Sequence, residues 1–313
     1  MPAETTAKGT TADVAAIAEV TAAMAKAKAT TGAELAGLDA LDSATSSGEQ
    51  ALRSVLTRVW PKAAALALGL GLWELVVLSG WKPTYVLPGP VAVFTELCVM
   101  GRDGSLFVAI ANTLTRAGLG FALAVLIGVA IGSMVARNRI LRSAFGSLIT
   151  GVQTMPSIAW FPLAILIFQL SEKAILFVVV LGAAPAIANG LITGADQIPP
   201  LLLRAGQVLG ARGFAAYRYV ILPASLPSFV GGLKQGWAFA WRSLMAGELI
   251  VVIANKPSIG SVLQIRRNLA DAEGLLATMV VILIIGIVVD AAIFGRLERM
   301  ILRRWGLLDS TSG

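Results

Sequence analysis

The sequence predicts an all-α membrane protein with six transmembrane helices and both termini in the cytoplasm. Of its 313 residues, 57% are apolar and only 14% are charged, and the mean hydropathy is +0.80. A soluble domain carries roughly 25% charged residues, so this chain has too few charges to cover a surface that faces water everywhere. Six apolar windows and an uneven distribution of basic residues complete the prediction.

Each window is long enough for a helix to cross a bilayer, which takes about 20 mostly apolar residues. The windows are 62–80, 106–136, 143–169, 174–195, 225–253 and 275–293. Proline interrupts a helix by removing a backbone donor, so Pro156, Pro162 and Pro185 predict bends in the third and fourth helices.

Small residues recur at every fourth position of the second window and therefore share one helix face. They are Gly120, Ala124, Gly128 and Gly132. This spacing lets two membrane helices approach closely, and we expect packing rather than gating from it.

Basic residues indicate the orientation, because cytoplasmic segments of membrane proteins carry an excess of Lys and Arg. With the N-terminus inside, the inner connecting segments contain thirteen basic residues and the outer segments contain six. Residues 53–313 hold 22 basic and 11 acidic residues. A basic balance also suits a nucleic-acid-binding protein, but the apolar content favours a membrane protein oriented by its positive charges.

Several kinds of site are excluded by composition. The chain has no histidine and one cysteine, Cys98, which removes catalytic Ser-His-Asp and Cys-His arrangements, histidine metal sites and an intrachain disulfide. It also has no phosphate-binding loop of the GxxxxGK[ST] type. We therefore expect no catalytic residue, metal or cofactor in this chain.

Residues 1–52 differ from the rest in being rich in Ala, Thr and Ser and free of aromatic residues. They lack the apolar core of a secretory signal and have nothing large to bury, so we expect a cytoplasmic tail that is at most transiently helical. The alternative is a regulatory or docking segment. Residues 53–308 form the predicted transmembrane domain.

The predicted inner segment between the fourth and fifth windows, residues 197–223, is long and moderately polar. Pro199 and Pro200 are suited to begin a helix, a helical pattern follows from 201 to 209, and glycines interrupt it before a second short stretch at 214–220. Two short helices joined at glycine would project from the membrane face and present a docking surface.

The residues of this segment resemble the cytoplasmic EAA loop of ABC importer permeases. Residues 204–210 read Arg-Ala-Gly-Gln-Val-Leu-Gly, and nine residues later 220–223 read Val-Ile-Leu-Pro. Ala205, Gly210, Leu222 and Pro223 match the family pattern, whereas Arg204 replaces its leading Glu. The coupling residues implied by the resemblance are Arg204, Ala205, Gly206, Gly210, Ala211, Arg212, Gly213, Leu222 and Pro223.

The resemblance implies the type I ABC importer permease fold and a location in the bacterial cytoplasmic (inner) membrane. It also implies three partners: a second copy of the chain, two copies of an ATPase subunit that uses ATP and Mg²⁺, and an extracytoplasmic solute-binding protein. The chain would then work as half of a homodimeric pathway by alternating access, with the loop inserted as a coupling helix into a groove of the ATPase.

Shorter stretches look similar to permeases for nitrate, taurine and aliphatic sulfonates, which all carry small anions. They include Trp73-Glu74, residues 85–90, residues 156–163 and the region from Ala240 to Leu249. Aliphatic sulfonate is the substrate we expect first, with nitrate, taurine or another small solute as alternatives.

Polar and aromatic residues inside the predicted spans are candidates for a substrate pathway, because charges at membrane depth are costly. One face of the fifth helix holds polar and aromatic residues within about 80° of arc, which suggests a cavity lining. These residues are Lys234, Trp237, Trp241, Met245 and Glu248. The candidate pathway residues are Asn112, Arg116, Met155, Pro156, Trp160, Trp237, Trp241, Arg242, Met245 and Glu248.

Each candidate charge also has a structural interpretation. Arg242 either attracts a passing anion, or pairs with Glu248 or a backbone carbonyl and so holds helices together. Asn112 and Arg116 share a helix face and either line the pathway or hold helices together. We expect Lys234 to extend toward the inner membrane surface, and Asp290 to be neutralised by a partner such as Arg296.

Two rival function classes remain open from the sequence. A secondary transporter driven by an ion gradient needs a coupling carboxylate near the bilayer midplane, for which Glu74 and Glu248 are the candidates. A membrane-bound enzyme would need a histidine, a metal cluster or a carboxylate pair, and the sequence offers none.

Overall fold

The structure is a computed structural model that describes residue 57 and residues 60–137 and 139–304. The predicted tail, residues 1–52, lies outside the described residues. The chain divides into two units at Leu75 and Val76. The first unit includes most of helix α1 (Trp60–Leu78), and the second contains the remaining helices.

The described part of the second unit is helical and contains no strand. Its helices are α2 (Pro90–Arg102), α3 (Ser105–Arg137), α4 (Arg139–Thr154), α5 (Phe161–Phe168), α6 (Glu172–Asp196), α7 (Pro200–Val208), α8 (Phe214–Ala216), α9 (Leu222–Ile250), α10 (Ile259–Asn268), α11 (Ala272–Val289) and α12 (Gly295–Arg304). A 3₁₀ turn, Ser157–Trp160, precedes α5, and π-helical turns precede α9 and α12 at Tyr217–Ile221 and Asp290–Phe294.

Helix α6 forms the centre of the bundle and packs against both α3 and α9. Its buried residues come from all sides of the helix, as expected for a helix surrounded by protein. We call the end of the bundle at Glu172 and Ile250 the outer end and the end at Asp196 and Leu222 the inner end, following the predicted orientation.

Small residues bring these helices into backbone contact. A Cβ atom built on Gly190 of α6 would lie 2.5 Å from the Cα atom of Gly232 on α9. On α3, a Cβ atom at Gly128 would lie 2.8 Å from the Ala184 carbonyl oxygen, and one at Gly132 would lie 2.9 Å from that of Ala188. The close approach predicted for this face of α3 is therefore confirmed, and its partner is α6.

The third apolar window is a broken helix. Residues Ile140–Thr154 and Ser157–Phe168 meet at an angle of 99°, with the break at Met155 and Pro156. The bend predicted for Pro156 is confirmed. Pro162 instead lies in the first turn of α5, where proline fits, and α6 continues through Pro185 without a break.

Four described helices are long and apolar enough to cross a membrane, or five if the broken pair counts as one span. They are Trp60–Leu78, Ser105–Ala136, Glu172–Asp196 and Ala272–Ile301. Helix α9 has 29 residues, about 43 Å at 1.5 Å per residue, but it is less apolar than these four. The structure therefore supports up to five of the six predicted spans, and the remaining one, α9, stays a prediction.

Two short helices at the outer end, α2 and α10, have no counterpart among the predicted elements. Pro90 occupies the first turn of α2. Ser258 and Ser261 form a capping box at the start of α10, which is a recognisable signal in sequence. Asp271 caps α11 through the Gly274 N–H and pairs with Arg266. These bonds hold the pKa of Asp271 below its usual value, although partial burial opposes the shift.

The partner of Asp290 differs from the prediction. Its Oδ2 atom lies 3.5 Å from Nζ of Lys234 on α9. A basic partner therefore neutralises Asp290 as expected, but the partner is Lys234 and not Arg296. This pair ties the π-helical turn before α12 to the inner half of α9. It also engages Lys234, for which the sequence predicts an extension toward the membrane surface.

Replacement of Gly190 by Ala should destabilise the protein by about 1–3 kcal/mol, because the added methyl group has no room against the backbone of α9. Gly231→Ala is the matched control, since a Cβ atom at Gly231 meets no atom within 4 Å. Thermal unfolding in detergent measures both variants. Equal melting temperatures for the two would contradict this packing.

Candidate functional site

A buried ion pair joins α3 to α9 at the outer end of the bundle. Nη1 of Arg116 lies 3.1 Å from Oε1 of Glu248, and the two residues are 5% and 0% exposed. The Glu248 carboxylate also accepts hydrogen bonds from Oγ1 of Thr113, at 2.9 Å, and from the backbone N–H of Gly260, at 3.1 Å. These donors compensate the carboxylate for its removal from water.

Further polar contacts extend the pair across the outer end. Nη2 of Arg116 lies 3.3 Å from Oε1 of Glu172 at the start of α6, and Nζ of Lys256 lies 3.1 Å from the same oxygen. Asn112 donates from Nδ2 to the Pro257 carbonyl oxygen at 2.8 Å. The network therefore holds α3, α6, α9 and the segment before α10 in one arrangement.

The network bears on alternatives that the sequence left open. Asn112 and Arg116 connect elements of the outer end, as in the structural interpretation, and their pathway role stays a prediction. Glu248 pairs with Arg116, so the alternative in which it pairs with Arg242 is wrong. Thr113, Glu172 and Lys256 were missed; the signal for Glu172 was an acidic residue at the start of an apolar window.

The break between α4 and α5 opens a hollow of about 240 Å³ that α6 and α9 close on the other side. It brings together four of the predicted pathway residues: Met155, Pro156, Trp160 and Arg242. Their helix neighbours add polar groups that sequence reasoning missed, namely Gln153, Thr154 and Ser157. No acidic side chain, and neither Asn112 nor Arg116, is among the described residues that line this hollow.

Arg242 is exposed within the described chain and is held by its own helix. Its Nε atom donates to the Ala238 carbonyl oxygen at 3.1 Å, and its guanidinium group lies 4.7 Å from the centre of the Phe239 ring. This carbonyl belongs to α9 itself, so the contact does not hold two helices together. Across the described ranges, 57, 60–137 and 139–304, no carboxylate forms an ion pair with it.

The aromatic residues predicted to line a cavity on α9 pack instead against neighbouring helices. Trp237 stacks on Trp241 with ring centres 6.1 Å apart, and meets Phe121 edge to face at 5.3 Å. Met245 packs against the same core, and Trp241 borders an apolar groove beside α11. In the described chain the hollow lies on the neighbouring Arg242 side, and a pathway role for this face stays a prediction.

At the inner end, residues 200–221 form a projecting arm, which we call the coupling arm. The predicted helices are confirmed as α7 and as α8 with the π-helical turn that follows. Gly210 and Gly213 between them adopt φ values of 85° and 55°, the left-handed region that favours glycine. Val208 and Leu209 are 87% and 86% exposed, so the arm presents apolar side chains at its tip.

The coupling residues predicted from the sequence lie on or beside this arm. Gly206 packs against its base, since a Cβ atom there would lie 2.8 Å from a methyl carbon of Val220. Leu222 and Pro223 begin α9, so the arm continues directly into the helix that carries Arg242 and Glu248. Arg204 and Arg212 form no ion pair within the described chain, in keeping with the loss of the family's leading Glu.

In sequence and fold, the chain is similar to known transport proteins. The family model described as binding-protein-dependent transport system inner membrane component matches residues 108–303. A putative ABC transporter permease of Methanocaldococcus jannaschii is 30% identical over 73% of this chain and 86% of its own length. The taurine transport system permease of Escherichia coli is 27% identical over 74% and 87%, respectively. The nitrate import permease of a Synechocystis strain is 27% identical over 60% and 71%.

A solved structure supports the fold. The chain is similar to one of an inward-facing methionine ABC transporter with a TM-score of 0.54 and 19% identity, over 62% of this chain and 94% of that one. The family model begins within α3 and ends within α12, so it includes the buried network, the hollow and the coupling arm.

Arg116→Met should lower the stability of the protein by about 3–5 kcal/mol, because it leaves the buried Glu248 carboxylate without its counter-charge. The double variant Arg116→Met/Glu248→Met should be more stable than Arg116→Met alone, since it removes both charges. Arg267→Gln, on an exposed neighbour of Arg266, is the control. Melting temperatures in detergent measure all three, and a double variant less stable than the single would contradict the ion pair.

Proposed function

This chain belongs to the family of binding-protein-dependent transport system inner membrane components, and on that premise we propose that it is the translocation subunit of an ATP-driven importer for a small anion. The coupling arm supports ATP hydrolysis by a partner subunit as the energy source. It exposes apolar residues at a site that the predicted orientation places in the cytoplasm, and it is continuous with α9. The chain itself has no phosphate-binding loop, so a separate ATPase subunit would hydrolyse the ATP.

The coupling arm has the features expected of a lever, because its two ends are joined to their neighbours differently. Left-handed glycines separate α7 from α8, whereas the π-helical turn joins α8 to α9 without a gap. A push on the arm is thus passed to α9, and α9 is packed closely on α6 through Gly190 and Gly232. Movement of the inner end would then tilt α9 and α6 together as a unit.

We propose that two copies of the chain form the pathway, each with one ATPase subunit, and that an extracytoplasmic binding protein delivers the solute. The small size of the hollow in one copy supports a shared pathway. ATP binding would close the ATPase dimer, move both coupling arms and open the pathway toward the binding protein; hydrolysis would reverse the movement.

Among small anions we propose an aliphatic sulfonate as the substrate to test first, with nitrate and taurine as the alternatives. Two of the named relatives are a nitrate permease and a taurine permease. Taurine itself bears a sulfonate group, and nitrate, like a sulfonate, spreads one negative charge over three oxygen atoms. An ion-gradient mechanism finds less support, since the Glu248 carboxylate is already occupied by Arg116, Thr113 and the Gly260 N–H. Of the two candidate coupling carboxylates, this leaves only Glu74.

Leu209→Glu should reduce the amount of ATPase that co-purifies with the tagged chain at least roughly tenfold, because it puts a charge on an exposed apolar contact of the coupling arm. Leu269→Glu is the matched control, since Leu269 is 71% exposed at the outer end. Co-purification from membranes of cells that express the whole transporter measures both. Retention of the ATPase by Leu209→Glu would count against the coupling arm.

Uptake of ethanesulfonate by vesicles that contain the assembled transporter should stop with vanadate or without ATP, and should continue when an ionophore collapses the ion gradients. A radiolabelled uptake assay measures both conditions. The opposite pattern, loss with the ionophore and persistence with vanadate, would identify a secondary transporter instead.

A further inference from the structure

The hollow at the broken helix combines one uncompensated positive charge with several unused hydrogen-bond donors. Neither the Gln153 amide, the Ser157 hydroxyl nor the Trp160 indole N–H has a hydrogen-bond partner within the part of the chain that the structure describes. The Arg242 guanidinium group uses only Nε toward the backbone. Four donor groups therefore remain available around a space with no acidic side chain among its described lining residues.

The depth of the hollow sets it apart from a surface cleft. Arg242 lies eight residues from the outer end of α9, and Gly182 of the lining lies ten residues from the outer end of α6. These separations correspond to about 12 Å and 15 Å along the helices, close to half of a hydrocarbon core of about 30 Å. If α6 spans the membrane from its outer end, as the sequence predicts, the hollow lies near the bilayer midplane.

At that depth, an irregular backbone and a charged side chain each need particular surroundings. Non-helical backbone within the membrane must line a water-filled cavity or be buried in protein, and the break at Met155 and Pro156 borders the hollow. A guanidinium group there needs a polar partner, and the described chain supplies one only for its Nε atom. The other guanidinium N–H groups are therefore left to water, to the solute or to another molecule in the hollow.

We propose that Arg242, Gln153, Ser157 and Trp160 form a transit site for the oxygen-bearing anionic group of the solute. A volume of about 240 Å³ is below the roughly 300–1,000 Å³ of sites for drug-sized ligands, so the site suits a small anion. The guanidinium fork binds oxyanions through two parallel N–H groups. The N-terminal end of the segment Ser157–Phe168 opens on the same space, and helix N-termini favour anions.

This inference rests on the proposed function and deepens it, because it assigns anion selectivity to the permease as well as to a binding protein. A site of this kind should bind weakly, since a solute that is held tightly at mid-depth is not released. Arg242 should therefore affect the rate of anion transfer more than the assembly of the transporter.

The test uses the assembled transporter in lipid vesicles with labelled ethanesulfonate and nitrate as probes. Arg242→Gln should lower kcat/KM for uptake of both anions roughly 10- to 100-fold, the range expected for loss of a charge-assisted hydrogen bond, and Arg242→Lys should retain more uptake than Arg242→Gln. Arg102→Gln, at the exposed end of α2 and outside the lining, is the control. Size-exclusion chromatography checks that each variant assembles.

A second measurement separates anion binding from a structural role. Cys98 is the sole cysteine, so Cys98→Ser/Arg242→Cys carries one thiol, at the site. A thiol reagent that adds an ammonium group should restore uptake, and one that adds a sulfonate should not. Saturating ethanesulfonate should slow the labelling of this thiol.

Full uptake by Arg242→Gln, equal rescue by both reagents, or labelling that ethanesulfonate does not slow would overturn the transit site while leaving the proposed function intact. Failure of the wild-type transporter to import either anion with ATP would overturn the proposed function, and the transit site with it.

Discussion

The cost of an unpaired charge at membrane depth is the constraint on which the rest of the structure depends. An arginine at the centre of a membrane helix costs about 2.5–3.5 kcal/mol even by insertion measurements, so each such residue must find a partner. Arg116 finds Glu248 and Glu172, and the three lock the outer end of the bundle. Within the described chain, Arg242 finds only the Ala238 carbonyl and the Phe239 ring of its own helix. Arg116 therefore connects helices, whereas Arg242 faces the hollow through which a solute would pass in the proposed mechanism.

Helix α9 brings the parts of the transporter together. It begins at the coupling arm, carries Gly232 against α6, presents Arg242 to the hollow and ends beside the buried Glu248. One continuous helix therefore touches the surface proposed for the ATPase, the proposed anion site and the outer network. The close glycine contact with α6 favours movement of α9 and α6 together in the proposed mechanism.

Much of this arrangement was predictable from sequence patterns, and the failures have physical causes. The stripe of Gly120 to Gly132, the break at Pro156 and the two short helices of the coupling arm follow from local rules and were confirmed, as was the resemblance to ABC importer permeases. The partners of individual side chains were not predictable. The periodicity of α9 places Trp237, Trp241 and Glu248 on one face. Whether that face meets water or protein depends on α3 and α6, which are distant in sequence. For the same reason Lys234, not Arg296, neutralises Asp290, and Gln153 and Ser157 join the hollow only once the chain has folded back on itself.

The most direct test of this mechanism is to identify what contacts Arg242 in the assembled transporter. A cryo-electron microscopy structure in lipid, determined with saturating 2-bromoethanesulfonate, measures this at the level of atoms. We expect density for the sulfonate within hydrogen-bond distance of the Arg242 guanidinium group, next to Gln153 and Ser157. A carboxylate of the second copy or a lipid phosphate paired with Arg242, in place of the solute, would contradict the mechanism.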